Sequence, residues 1–588
     1  MSSLRNGGGP SALDIVFVLT AGGLILSIVV GILVPVYTDE TGWRFLQRAG
    51  IDGVDGLFSD ICGPTSIAVP PIHIWPVRLF SAAANGAFPE PIFVRLAGVA
   101  CALAWLALVW LLLRRVEGDS VRRKLLGILA FAILGIGTLP FAMVLSRPEQ
   151  PIILTTLLIV LVALWDPTNR AEPRLIWIKV ATILMLSIVA QSYHMKGVLY
   201  GAVALVAMWA CGQGRTTLVP RFMGMLALVT TMAASAHYWS SRMSCPGDAK
   251  LAGMFAQENV ASALAAGAGV SDFARVLANG IDPFGYVMLI LPRADPMSNW
   301  LPPDQFTIMQ SLIVYWLLWA AWSFALAAMA YFTILFVWKS RFAALQEPRL
   351  LLATALIGAC AVWAISQLNR NDYEAGHILP SLVVALLLIL TLPGGSRRRD
   401  TRVLRVSAAA LFAAALASQV IVFSNTLPTL WTSAQTPGYA PQQPFSVSIA
   451  DYTPIREAVT MAMDSAGIQA GVTYKRLLVD ELTYPALSHH HRPIHQLGVL
   501  RVWNGSVTDP IAYLVSRNSD GVVTACRTLD GRLLAAASRA EGICAISATT
   551  LRELNVRAST MDNPSQLERL PVSQTNLRTR SPLPLSPH

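Results

Sequence analysis

Four short polar stretches in an otherwise apolar chain hold the side chains that could do chemistry. The first runs Tyr37-Thr38-Asp39-Glu40-Thr41-Gly42-Trp43-Arg44, two adjacent carboxylates followed by an arginine. The second is Ser146-Arg147-Pro148-Glu149-Gln150, and the third is Gln191-Ser192-Tyr193-His194-Met195-Lys196-Gly197. The fourth is Asn369-Arg370-Asn371-Asp372-Tyr373-Glu374-Ala375-Gly376-His377. A positioned carboxylate suits a general base, which typically accelerates a displacement about 10²–10⁴-fold. Arg147, Lys196, Arg370 and His194 suit the complementary task of stabilising negative charge that develops on a leaving group. Each group also has a plainer use. Asp39 and Glu40 serve equally as a polar cap after a membrane helix. Arg147 and Glu149 suit pairing across a tight turn, and His194 and Lys196 suit anchoring at the headgroup level. Arg370, Asp372 and Glu374 suit a solvated charge cluster.

The elements that must position these groups are membrane helices. The chain has 588 residues, 54% apolar and 13% charged, with a mean hydropathy of +0.53, the composition of a polytopic membrane protein. Apolar runs recur at 15–36, 92–113, 125–145, 151–165, 177–193, 197–212, 222–239, 307–337, 350–366, 379–392 and 406–424. They predict about eleven transmembrane helices, although 151–165 and 379–392 are shorter than a usual span. The first run is closed by Pro35, which delivers Asp39 and Glu40 to the lipid–water boundary. A formal charge of +10 in a soluble protein would suggest nucleic acid. Here the basic residues fall in short clusters between apolar runs, as orientation signals do, so no nucleic-acid role is expected. The amino-terminal run is longer than a signal-peptide core and has no small-residue cleavage site, so it reads as a retained anchor.

Placing the amino terminus in the cytoplasm puts Arg114, Arg115, Arg122, Arg123 and Lys124 inside, along with Arg397, Arg398, Arg399, Arg402 and Arg405. The four polar stretches then share the opposite side, together with longer loops at 37–90 and 240–306 that read as interfacial segments. The expected location is a plasma (inner) membrane, with residues beyond 425 outside the cytoplasm. Residues 425–558 read as a small α+β domain, with a helix starting at Thr453-Pro454 and strands at 472–479, 511–515, 522–526 and 533–537. From 559 to 588 the composition predicts a disordered tail. Of seven cysteines, Cys526 with Cys544 and Cys62 with Cys245 are candidate pairs in an oxidising compartment. His489, His490, His491 and His495 lack a second ligand group. No metal ligands are assigned, and a divalent metal is a compatible but unassigned cofactor.

The combination resembles the GT-C superfamily of membrane glycosyltransferases, especially the branch of protein O-mannosyltransferases and lipid A aminoarabinose transferases. The carriers are Asp39-Glu40 after the first span, Arg147-Pro148-Glu149, His194-Met195-Lys196-Gly197, and Tyr373 with His377-Ile378-Leu379-Pro380. The resemblance covers the membrane region, 1–424. It implies a polyprenyl-phosphate sugar donor and a lipid, polysaccharide or protein acceptor in the cell envelope. It also implies Asp39 as catalytic base with Glu40 as companion acid. Arg44, Arg147, Glu149, His194, Lys196, Arg370 and His377 are the implied substrate-binding residues.

Two other functions fit a polytopic chain. A transporter or flippase for a lipid-linked saccharide would place ionisable residues and broken-helix pairs within the spans. A scaffold whose outer domain binds cell-wall polymer would need far fewer spans.

Overall fold

The computed structural model describes residues 11–37, 40, 57–59, 63–65, 91–147, 149–165, 172–193, 195–243, 347–365, 378–391, 398–437, 446–450, 452–465, 476–479, 494–496, 511–516, 543–547, 556–559 and 566–569. Helix α1 (Ala12–Val30) begins with a reciprocal cap. The Asp14 amide donates to the Ser11 hydroxyl at 3.3 Å, and the Ser11 amide donates to the Asp14 carboxylate at 3.1 Å. Lys124 also donates to Asp14, tying the start of α1 to the start of α3 (Ser120–Leu134). Ile15, Val18, Leu19 and Leu26 of α1 remain exposed. An apolar helix with an exposed apolar face fits lipid as its solvent.

Helix α3 is the centre of the bundle. Every residue from Leu125 to Leu134 is buried, and α1, α10 (Ile378–Thr391) and α11 (Arg398–Gln435) pack around it. The apolar run 125–145 predicts one continuous span, but the helix breaks. After Leu134 come Gly135, Ile136, Gly137 and Thr138, and a short α4 (Leu139–Met143) follows. Gly137 has φ 56°, a conformation that glycine adopts without a Cβ penalty. Inside a bilayer the backbone groups freed by a break have no water to meet them. Here Gln419 of α11 donates to the Gly135 carbonyl and, at 3.2 Å, to the Gly137 carbonyl. The Gly137 amide donates to the Ser418 hydroxyl at 3.1 Å, and Ser27 of α1 donates to Gln419 Oε1 at 2.9 Å.

Helices α2 (Pro91–Val116), α5 (Glu149–Leu164), α6 (Pro173–Tyr193), α7 (Gly201–Ala210) and α8 (Leu218–Met243) form the adjoining part of the bundle. Helix α5 packs on α2, α6 and α7, while α9 (Pro348–Ile365) packs on α7 and α10. Among the described residues five helices are long and apolar enough to cross a membrane: Ala12–Leu33, Pro91–Val116, Pro173–Ser192, Arg215–Tyr238 and Thr401–Ser424. Shorter apolar helices span Glu149–Leu164, Gly201–Ala210, Pro348–Cys360 and Ser381–Thr391. The run 307–337 lies outside the described residues. Helix α11, with 38 residues, is about 57 Å long at 1.5 Å per residue, well beyond the hydrocarbon thickness.

Beyond the apolar part, strand β1 (Val36–Tyr37) pairs antiparallel with β4 (Ser446–Val447). This joins the chain leaving α1 to the chain leaving α11. Ser448 donates to the Ser433 carbonyl of α11 at 2.6 Å and steadies that junction. Strands β2 (Leu57–Ser59) and β3 (Gly63–Thr65) form a hairpin. The helix predicted from Thr453 is α12 (Thr453–Ser465). It packs on a four-stranded sheet of order β6-β5-β7-β8, made of β5 (Arg476–Val479), β6 (Ile494–Gln496), β7 (Ile511–Ser516) and β8 (Ile543–Ser547). The strands predicted at 522–526 and 533–537 lie outside the described residues, while β6 and β8 fall in none of the predicted runs. Strands β9 (Val556–Ser559) and β10 (Gln566–Arg569) pair antiparallel. The second lies where composition predicts disorder, but a backbone ladder needs only unblocked N–H and C=O groups, and neither strand contains proline.

Candidate functional site at the mouth of the bundle

The site grows from a charge that a membrane helix does not carry without reason. Arg95 lies just after the start of α2 and is fully buried. An unpaired guanidinium there would be costly, and so would one with idle N–H groups. Arg95 has neither defect. Its Nε donates to the Val34 carbonyl at 2.9 Å. Its Nη1 donates to Val144 O at 2.7 Å and Glu40 Oε1 at 3.0 Å. Its Nη2 donates to Pro35 O at 2.7 Å and Glu40 Oε2 at 2.7 Å. All five donors of the fork are used, and the pairing with Glu40 is bidentate.

Glu40 is equally enclosed, with its side chain and that of Arg95 both at 0% exposure. Its Oε1 also accepts the Ser146 amide at 2.6 Å. Three chain segments therefore meet on one ion pair: the exit of α1, the start of α2, and the turn after α4. Local structure permits the meeting. The α-helical part of α1 stops at Val30 and a 3₁₀ turn (Gly31–Leu33) precedes Pro35, turning the Val34 and Pro35 carbonyls toward Arg95. Gly98, one helical turn beyond Arg95, lies against the Val144 backbone, where an added Cβ would come within 1.8 Å of Val144 O.

The second polar stretch follows directly. The Arg147 amide donates to Leu145 O at 2.9 Å, and the Gln150 amide donates to Arg147 O at 3.2 Å. Gln150 also sends its side-chain amide to Met143 O at 2.6 Å. Glu149 opens α5, where a helix N-terminus favours a carboxylate. Arg147 Nε lies 3.4 Å from Glu149 Oε2, so the ion pair of the plainer reading is present.

In the third stretch Gln191 is buried. It accepts from Ser235 of α8 at 3.0 Å and donates to Ser187 at 3.1 Å. The bond from Ser235 holds α6 against α8 just before the turn, while the bond to Ser187 stays within α6. Lys196 falls in a 3₁₀ turn (Met195–Val198), and its side chain is outside the described set. Asp39, Arg44, His194, Arg370 and His377 lie outside the described residues, as do Cys62, Cys245 and Cys526 of the candidate disulfides. Of the predicted site residues, then, the structure joins Glu40 to the Arg147 and Glu149 turn through Ser146. Arg95 was not among them. The available signal was a lone basic residue inside an apolar run, on the side where few basic residues are expected.

Among the described residues no group of three or more His, Cys, Asp or Glu could hold a metal ion. No family model matches the chain, and no curated protein matches it. Several solved structures overlap with it loosely. The structure of ArnT from Cupriavidus metallidurans bound to undecaprenyl phosphate overlaps at 11% identity and a TM-score of 0.42, covering 92% of this chain and 98% of that one. The Archaeoglobus fulgidus oligosaccharyltransferase in its apo form overlaps at 11% identity and 0.39, covering 89% and 69%. Arabinosyltransferase EmbB from Mycobacterium smegmatis overlaps at 13% identity and 0.36, covering 75% and 43%. Overlaps this loose decide nothing about this chain, whose own residues have to carry its chemistry.

Proposed function

We propose that this chain is an integral-membrane glycosyltransferase of the GT-C type, moving one sugar from a polyprenyl-phosphate donor to an acceptor outside the cytoplasm. The observation that carries the reading is the bond from the Ser146 amide to Glu40. It brings Glu40, the neighbour of Asp39 in sequence, beside the residue that precedes Arg147, which supports a base and a cation acting at one mouth of the bundle. In this reading Asp39, one peptide bond from Glu40, accepts the proton of the acceptor hydroxyl as that oxygen attacks the anomeric carbon. The bond from sugar to phosphate oxygen breaks, and Arg147 and Lys196 stabilise the phosphate charge that develops. His194, Arg370, His377 and Arg44 complete the donor contacts.

The membrane region, 1–424, comprises about eleven spans with an inner-membrane location. The amino terminus lies inside, and 425–558 forms an outer α+β domain. The decisive assay uses purified full-length protein in vesicles with a polyprenyl-phosphate sugar. Asp39→Asn keeps the side-chain shape and removes the proton acceptor, so turnover should fall by about 10²-fold or more with donor binding retained. Arg147→Gln should weaken donor binding and turnover together. Transfer at the parent rate by folded, inserted Asp39→Asn protein would remove Asp39 as the base.

One observation favours a transporter or flippase: the broken helix between α3 and α4, a device that transporters use to bind cargo. In this protein Gln419 and Ser418 occupy backbone groups of the break, which suits a sealed structural kink better than a cargo site. Movement of a lipid-linked saccharide across protein-containing vesicles, without sugar transfer, would reverse that preference.

A further inference from the structure

The transfer chemistry uses the end of the bundle where α2 starts, and the end where α2 stops holds a second arrangement. There Arg115, in the last turn of α2, places its Cζ 5.4 Å from the ring centroid of Trp165, the residue that follows α5. Both side chains are exposed. We propose that this cation–aromatic pair, at the end of the seam between α2 and α5, binds the headgroup of an anionic phospholipid from the surrounding bilayer. The proposal stands without the glycosyltransferase reading.

The seam suits an acyl chain. Leu108 and Leu111 share the α2 face of Arg115, at steps of three and four residues, while Leu158 and Val162 share the α5 face of Trp165. Leu111 is exposed and the other three are half-buried. Because α2 and α5 pack on each other, these two rows run side by side up to the pair. A tryptophan ring suits the level of the headgroups, where one end is apolar and the other wet.

The electrostatics favour an anion over a zwitterion. Helix C-termini repel phosphate, but here Lys179 donates to the Trp165 carbonyl and Arg349 to the Val116 carbonyl at 2.8 Å, offsetting the negative ends of α5 and α2. Of the described acids at this end, Asp14 is paired with Lys124, Glu117 with Arg122 at 2.9 Å, and Asp119 accepts the Val121 amide at 3.0 Å. Glu172 and Glu347 are outnumbered by Arg114, Arg115, Arg174 and Arg215. A soluble phosphate would meet the charge and leave the apolar rows uncovered, whereas a phosphatidylcholine would bring its own ammonium against the guanidinium. An anionic phospholipid matches both parts.

Native mass spectrometry of the full-length protein in detergent, titrated with phosphatidylglycerol or phosphatidylcholine of equal chain length, reads the dissociation constant of the first bound lipid. Phosphatidylglycerol should bind about tenfold tighter or more, and Arg115→Gln should lower that preference about fivefold, the effect of one cation at a membrane surface. Arg215→Gln, away from the seam, should leave the preference unchanged. Equal losses from both variants would make the pair one part of a general basic surface and overturn the site. Displacement of the lipid by excess glycerol 3-phosphate overturns the choice of a lipid. A second measurement leaves the pair intact. With p-benzoylphenylalanine in place of Leu111 or of the exposed Val219 of α8, the protein is photolysed in vesicles of phosphatidylcholine with a minority of phosphatidylglycerol. Phosphatidylglycerol should be attached at position 111 several-fold above its share of the bilayer, and at position 219 in proportion to that share. A bulk ratio at 111, or equal enrichment at both positions, overturns the proposal.

Discussion

A guanidinium with every N–H group occupied behaves differently under mutation from one half of a surface ion pair. Removing one partner strands the other charge in an apolar setting. Arg95→Met should therefore destabilise the folded protein by about 3–5 kcal/mol, whereas Arg95→Met with Glu40→Leu, which removes both charges, should recover most of that loss. Unfolding in detergent, followed by intrinsic tryptophan fluorescence or light scattering, measures both. A double variant as unstable as the single would show that the two charges are not coupled. Only half of this pair was legible in the sequence. Glu40 stood out because it adjoins Asp39 at the end of a span, but Arg95 sits in an apolar run where its single charge barely alters the pattern. Which carboxylate it meets, across 55 positions, has no local signature.

At the scale of elements, two junctions aim the site. One is the contact of α2 with the turn after α4 at Gly98. Gly98→Ala would drive a methyl group into the Val144 carbonyl, forcing a backbone shift that should cost about 1–3 kcal/mol and should weaken the Arg95 bond to Val144. The other is the break between α3 and α4. Gln419→Leu leaves the Gly135 and Gly137 carbonyls without this donor, a loss of about 1–3 kcal/mol for buried polar groups. A midpoint for Gln419→Leu equal to the parent's in thermal unfolding would mean that other groups replace the amide. The helices themselves are legible as apolar runs, and so is the exit at Pro35. The break is marked locally by Gly135, Gly137 and Pro140, but hydropathy passes over them, and the polar residues that satisfy its backbone groups come from α11, supported by Ser27 of α1.

For the whole molecule, the pairing of β1 with β4 places the exits of α1 and α11 at the same end of the bundle. The Asp14 and Lys124 contact, by contrast, joins the starts of α1 and α3, and α3 follows the basic last turn of α2 at Arg114 and Arg115. The one-sided distribution of Lys and Arg then predicts which end faces the cytoplasm. In intact cells an impermeant maleimide should label Thr560→Cys and should spare Gly118→Cys. The reverse pattern would invert the orientation and put the acidic turn on the wrong side for an extracytoplasmic acceptor.

By itself the sequence determined the apolar character that suits a lipid solvent and the approximate positions of the described helices, because hydropathy acts locally along the chain. Helix α12 and the strand at β7 were visible for the same reason, as short periodic patterns between turn residues. The tertiary structure decided which stretches meet. It placed Arg95 between the carbonyls of Val34, Pro35 and Val144 and against Glu40, brought Ser146 onto the same carboxylate, and closed the α3 break with Gln419. Each of these is a hydrogen bond between groups distant in sequence, whose strength depends on angle and on exclusion of water. Neither quantity exists until the helices have packed.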